Sequence, residues 1–176
     1  MLSKELLSGV AILLTFVGFY PFIRSILRGK SKPHLFSWII WGSTTFVVFL
    51  AQLADRGGVG AWPIGVSGIM TLYVTWLAWR YKADASIRTS DWFFLFFAFS
   101  SLPLWYLTSD PLWAVVILTL VDLAGFGPTL SKAYRFPFEE HITFYGIFAL
   151  RNVTAAIALE NYTITTLLFP LTMAAA

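Results

Sequence analysis

Cysteine is absent, so neither disulfides nor thiolate chemistry enters into what this chain does. Histidine is nearly absent, with two in 176 residues, and no histidine or carboxylate cluster has metal-ligand spacing. An intramembrane enzyme therefore finds little support, and neither a cofactor, a metal nor a catalytic residue is expected. Charge is scarce as well: Asp, Glu, Lys and Arg make up 12% of the chain against 58% hydrophobic residues. No soluble domain of this length needs so apolar a composition, and the balance points to a membrane protein. The few basic residues are spread along the chain, which argues against nucleic acid as a partner.

What is abundant is long apolar sequence. A spanning helix needs roughly 20 mainly apolar residues to cross a hydrocarbon core about 30 Å thick. Seven segments qualify: residues 6–27, 35–54, 61–81, 91–107, 112–131, 142–159 and 162–176. They are too long and too uniformly apolar for the alternating strands of a membrane barrel.

The chain also repeats itself. Gly18, Phe19 and Pro21 recur 107 positions later as Gly125, Phe126 and Pro128. At the same offset Arg28 meets Arg135, His34 meets His141 and Pro63 meets Pro170, without a gap. A duplication of seven helices predicts an all-α membrane protein of architecture three plus one plus three. The units are a first three-helix repeat (residues 1–83), a linker helix with its flanks (84–110) and a second three-helix repeat (111–176). The odd connector makes the repeats parallel, and a duplication in a membrane protein suggests a transporter. The linker reads Trp92-Phe93-Phe94-Leu95-Phe96-Phe97, which suits a lipid-facing spacer.

Basic residues set the orientation, because short loops rich in Lys and Arg stay cytoplasmic. The first-to-second connection region holds Arg24, Arg28, Lys30 and Lys32, the third-to-fourth Arg80, Lys82 and Arg88, and the fifth-to-sixth Lys132 and Arg135. The other face has only Lys4 and Arg56, with Glu5, Asp55, Asp110 and Glu160. The N-terminus is expected outside and the C-terminus in the cytoplasm. Because Gly18 to Pro21 have counterparts in the fifth segment, the first segment belongs to the fold and is not a cleaved signal.

Polar groups at membrane depth are costly and are functional by default. Asp122 lies ten residues before Lys132 and Arg151 ten residues after His141, so each sits roughly 15 Å from the cytoplasmic end at about 1.5 Å per residue. Both are expected to face the bundle interior and to pair, directly or through water. The pair is either a fixed lock on the second bundle or part of substrate or proton coupling. Trp38, Trp41 and Thr45 follow i, i+3, i+7 spacing on the second segment, and Tyr145, Phe148 and Asn152 hold the same places in the sixth. Facing each other, Trp41, Thr45, Phe148 and Asn152 would line a site for a planar or ring-shaped solute, with Trp38 and Tyr145 as a gate or interfacial belt. The prolines Pro21, Pro63, Pro128 and Pro170 are read as interior kinks, hence candidate hinges or static shapers of packing. Gly60, Gly65 and Gly68, with Ser67 among them, allow close helix approach, a packing role. His34 and His141 fall at loops, where they cap or are solvated.

With these residues the chain resembles the SWEET sugar facilitators and the related PQ-loop and PnuC-type vitamin transporters. Gly18-Phe19-Tyr20-Pro21 followed by Arg28-Gly29-Lys30-Ser31 is similar to the first helix and basic turn of SWEETs. Trp38-Ile39-Ile40-Trp41 is similar to the paired-tryptophan motif of PnuC-type nicotinamide riboside transporters, which those proteins carry in the second repeat. Pro33-His34 stands where PQ-loop proteins have a proline-glutamine pair. The stretch from Asp122 to Glu140 resembles uncharacterised bacterial membrane proteins, which implies the bacterial inner membrane. The resemblance implies a carrier that moves a small polar solute, a sugar, nucleoside or vitamin-like ring, by alternating access. The partners are then that solute and the lipid bilayer, and a homo-oligomer is not required because one chain supplies both bundles. The same fold also resembles sorting receptors of the KDEL type, so a ligand-binding receptor without transport is the alternative.

Overall fold

In the computed structural model, which describes residues 3–81, 89–135 and 142–176, the chain is helical throughout its described elements. Seven α-helices run in order: α1 (Lys4–Leu27), α2 (Leu35–Ala54), α3 (Trp62–Arg80), α4 (Thr89–Thr108), α5 (Pro111–Arg135), α6 (Ile142–Ala158) and α7 (Ile164–Ala175). A 3-10 turn, Gly58–Ala61, leads into α3. Each helix falls on one of the seven apolar segments. Among the described residues, Lys4–Leu27, Leu35–Ala54 and Gly58–Arg80 are long and apolar enough to cross a membrane. Shorter apolar helices cover Trp92–Thr108, Pro111–Gly125 and Ile164–Ala175.

The ends are set by local chemistry. The Ser3 hydroxyl accepts from the Leu6 N–H at 3.2 Å and starts α1. The His34 Nδ1 accepts from the Ser37 N–H and caps α2, which is the loop role expected of it. Thr163 and Thr166 exchange bonds in a capping box at α7. Gly29, at φ +70°, reverses the chain after α1 in a conformation that suits glycine. His141 lies outside the described residues, as do Lys82 and Arg88.

Helices α3 and α7 play equivalent parts. α3 packs on both α1 and α2, and α7 packs on both α5 and α6. Taking α1–α3 and α5–α7 as triplets by chain order alone, α1 of one meets α6 of the other and α2 meets α5, and each of these contacts maps onto the other under the 107-residue offset. The further contacts α2 with α7 and α3 with α6 form a second such pair. Helix α4 touches only α5 and α2 among the more extensive contacts. One core cluster joins Val48, Phe49, Ile64, Val115, Leu118 and Phe169 from α2, α3, α5 and α7. A second joins Phe19, Ile26, Val74 and Leu77 from α1 and α3.

Much of the outer surface is apolar. Leu13, Trp79, Phe96 and Leu107 are each more than 60% exposed, and Trp92, Phe93, Phe97 and Phe99 of α4 are also exposed. The inward faces carry glycines at close approaches. A Cβ on Gly65 would lie 2.9 Å from the Phe49 ring, and one on Gly68 3.1 Å from the Phe46 backbone nitrogen. These contacts give Gly65 and Gly68 the packing role expected of them.

The prolines do not form two matched pairs. Pro21 lies inside α1 and Pro170 inside α7, but Pro63 occupies the first turn of α3. There its missing N–H leaves no hydrogen bond unmade and its fixed φ suits the helix start, so Pro63 begins a helix and does not kink one. Pro128 falls within α5, but its side chain lies outside the described residues.

Candidate functional site

Three buried polar side chains, those of Asp122, Arg151 and Gln52, bond from one triplet to the other. Asp122 on α5 is 5% exposed, and its Oδ1 accepts from the Thr44 hydroxyl of α2 at 2.9 Å. The Thr44 hydroxyl also lies 3.0 Å from the Trp41 carbonyl one turn back on its own helix. Arg151 on α6 is 4% exposed, and its Nη2 donates to the Ser67 hydroxyl of α3 at 3.0 Å. Gln52 on α2, fully buried, donates through Nε2 to the Thr166 carbonyl of α7 at 2.7 Å. All three bonds run from one triplet to the other.

Asp122 and Arg151 are both buried, as the sequence suggests, but they are not directly paired. The carboxylate is served by Thr44. The guanidinium is served by Ser67 and lies 5.3 Å from the centroid of the Phe148 ring, one turn back on its own helix. Among the described residues its Nε and Nη1 are enclosed with no hydrogen-bond partner, and so are the Asn152 Oδ1 and the Gln52 Oε1. Packing explains the separation: α5 faces α2 while α6 faces α1 and α3, so the two charges are drawn to different neighbours.

Trp41 and Phe148 occupy one position of the repeat and do equivalent things. A Cβ on Gly125 of α5 would lie 2.8 Å from the Trp41 Nε1, and a Cβ on Gly18 of α1 would lie 2.6 Å from the Phe148 Cε2. Each ring is thus applied to the glycine that begins the repeated Gly-Phe motif of the opposite triplet. Trp38 stacks on Phe22 at 5.0 Å, and its edge faces Phe19 at 6.5 Å and Trp41 at 5.8 Å. Phe19 in turn meets Phe148 edge to face at 5.5 Å. Trp38, Trp41 and Phe148 therefore belong to one aromatic seam that crosses between the triplets. Thr45 and Asn152 are buried beside it, 8% and 2% exposed, while Tyr145 is 36% exposed.

Three participants were missed in the sequence. Thr44 was passed over for Thr45, although Thr44 occupies the same repeat position as Arg151 and Asp122 the same position as Thr15. Those alignments were the available signal. Ser67 reads in the sequence as a packing residue, but its hydroxyl receives Arg151. Gln52 is a polar residue inside an apolar helix, and that placement is the signal it offers.

At one end of the bundle the α2–α3 and α6–α7 turns are bonded together. Glu160 accepts through Oε1 from the Val59 N–H at 3.1 Å, and its own N–H donates to the Gly57 carbonyl at 3.0 Å. The Asn161 side chain donates to the Asp55 carbonyl at 2.9 Å, and the Thr163 hydroxyl donates to the Asp55 carboxylate. The Lys4 ammonium reaches the Leu159 carbonyl and lies 4.8 Å from the Tyr162 ring centroid. Compared with known proteins, the chain matches no family model, no curated protein and no solved structure.

Proposed function

We propose that the chain is an integral membrane carrier that moves a small polar solute, such as a sugar, nucleoside or vitamin-like ring, by alternating access. In this reading two parallel three-helix repeats, α1–α3 and α5–α7, are joined by the linker α4. The bundle sits in a bacterial inner membrane with its N-terminus outside and its C-terminus in the cytoplasm. One observation carries the reading: the buried polar side chains of Asp122, Arg151 and Gln52 all bond across the boundary between the triplets. Polar groups are costly at membrane depth, and concentrating them at the boundary of two repeats is where a carrier holds its solute.

The supporting observations are of two kinds. The contacts α1 with α6 and α2 with α5 exchange under the repeat offset, as an approximate twofold axis along the membrane normal requires. The exposed apolar side chains of α4 and its neighbours suit lipid, and Arg24 in the last turn of α1 with Arg28, Lys30 and Lys32 after it gather at one end as cytoplasmic residues would.

The test is a thermal-shift screen of the purified chain against sugars, nucleosides, vitamins and amino acids, followed by liposome uptake of any stabilising compound. A ligand that binds the native state raises its apparent stability by mass action. A carrier gives a compound that stabilises the chain and enters liposomes, with both effects lost in Trp41→Ala and Asn152→Ala. A compound that binds but never enters favours the receptor reading, and a screen without any stabilising compound argues against both.

A further inference from the structure

The strongest unmet demand in the molecule is the Arg151 guanidinium. The group carries five N–H bonds in a rigid plane that matches an oxyanion at two points. Here one of its nitrogens is satisfied, by Ser67, while Nε and Nη1 are enclosed and have no partner. The Ser67 hydroxyl takes one Nη2 proton. Whichever proton that is, one complete two-point edge remains, formed by Nη2 with Nε or by Nη2 with Nη1.

Among the described residues no other group meets that demand. The carboxylate of Asp122 is engaged by Thr44, and the Phe148 ring offers the guanidinium only its face. A buried charge lacking a counter-charge costs several kcal/mol even after relaxation. An apolar side chain of the same length would serve packing better. The adjacent residue adds a second unmet group of opposite sense, because the Asn152 Oδ1 is a buried acceptor without a donor.

From the two open guanidinium nitrogens and the open amide carbonyl of the next residue, we infer that Arg151 is the recognition point for a carboxylate on the bound solute, and that Asn152 receives an N–H or O–H from the same molecule. The inference rests on the carrier reading and narrows it: among small polar solutes, the site takes carboxylates that also bear a hydrogen-bond donor, such as hydroxy acids and amino acids. Phe148 lies against the guanidinium and against Gly18 of the opposite triplet, so a slight parting of α1 from α6 uncovers the site.

The experiment uses the full chain in detergent and in liposomes. Its thermal shift is measured with L-lactate, L-malate, L-alanine and L-glutamate, each beside its amide, with inorganic phosphate as a second oxyanion. The expected result is that at least one carboxylate stabilises the chain while its amide does not. Arg151→Lys, which keeps the charge but loses the planar fork, should weaken that response at least roughly tenfold. Arg151→Met should abolish the response while the ligand-free chain melts at or above the wild-type temperature, since an unmet buried charge has been removed. The inference is overturned if no carboxylate acts, if the amides or phosphate act in their place, if Arg151→Met responds like the wild type, or if Arg151→Met alone collapses the fold. Uptake separates this inference from the reading beneath it. A carboxylate that binds through Arg151 but never enters liposomes keeps the site and removes the carrier. Uptake of a neutral solute that is indifferent to Arg151→Met does the reverse.

Discussion

At the scale of single residues, the repeated glycines show what a sequence can mark without explaining. Gly18 and Gly125 are conspicuous because they recur at a fixed offset, but the reason lies on distant helices, in the rings of Phe148 and Trp41. Gly18→Ala should destabilise the chain by about 1–3 kcal/mol, the usual cost of overpacking, and Phe148→Leu should recover part of that loss in the double variant. Thermal unfolding of the four members of the cycle checks this, and strictly additive losses would dissociate the two residues. Gly9 is the control: nothing lies within 4 Å of its Cβ position, so Gly9→Ala should be neutral or gain up to about 1 kcal/mol from helix propensity. Asp122→Asn belongs at this scale too. The amide oxygen can still accept from Thr44, so the fold should hold, and any dependence of uptake on a proton gradient should vanish. Uptake that keeps its proton dependence removes Asp122 as the coupling group. The depth of Asp122 and Arg151 was legible because a charge in an apolar run has few places to go. Their partners were not, because Thr44 and Ser67 are small polar residues that also pass for packing.

At the scale of the element, helix positions were legible to within a few residues. The length of an apolar run is fixed by what it must cross, and polar turns punctuate it. Residues 35–54 and α2 coincide, while α1 begins two residues earlier than expected because Ser3 caps it. The start of α3 was less legible. Repeat logic paired Pro63 with Pro170, but the 3-10 turn Gly58–Ala61 delays α3 so that Pro63 falls in its first turn, whereas α7 begins earlier and encloses Pro170. Two substitutions follow with consequences of different size. Pro63→Ala should change stability by less than about 1 kcal/mol, because a first-turn proline withholds no helical hydrogen bond. Thr163→Ala removes both the α7 cap and the bond to Asp55, and should cost about 1–2 kcal/mol in thermal unfolding. If Pro63→Ala proves the more damaging of the two, the first-turn account of Pro63 is wrong.

At the scale of the whole molecule, the two ends of the bundle differ. The α2–α3 and α6–α7 turns hold one end together through Glu160, Asn161 and Thr163, and Gly60 lets the backbones touch: a Cβ there would lie 2.3 Å from the Leu159 nitrogen. None of this was legible, because the contacts join turns about a hundred residues apart and several have a backbone group, which every residue carries, as one partner. On the carrier proposal the triplets would have to separate at this end during each cycle, and the closure would be one half of that motion. The absence of native cysteine makes that testable in a clean background. Asp55 and Thr163 touch through their side chains, so Asp55→Cys with Thr163→Cys puts two thiols at that contact for oxidative cross-linking. The oxidised double variant should still bind the solute, since the seam around Trp41 and Arg151 is composed of other residues, but liposome uptake should stop and return on reduction. Uptake that persists with the bridge closed would mean that this end never opens. The triplets would then pivot elsewhere, and the turns would be a permanent clasp instead of a gate.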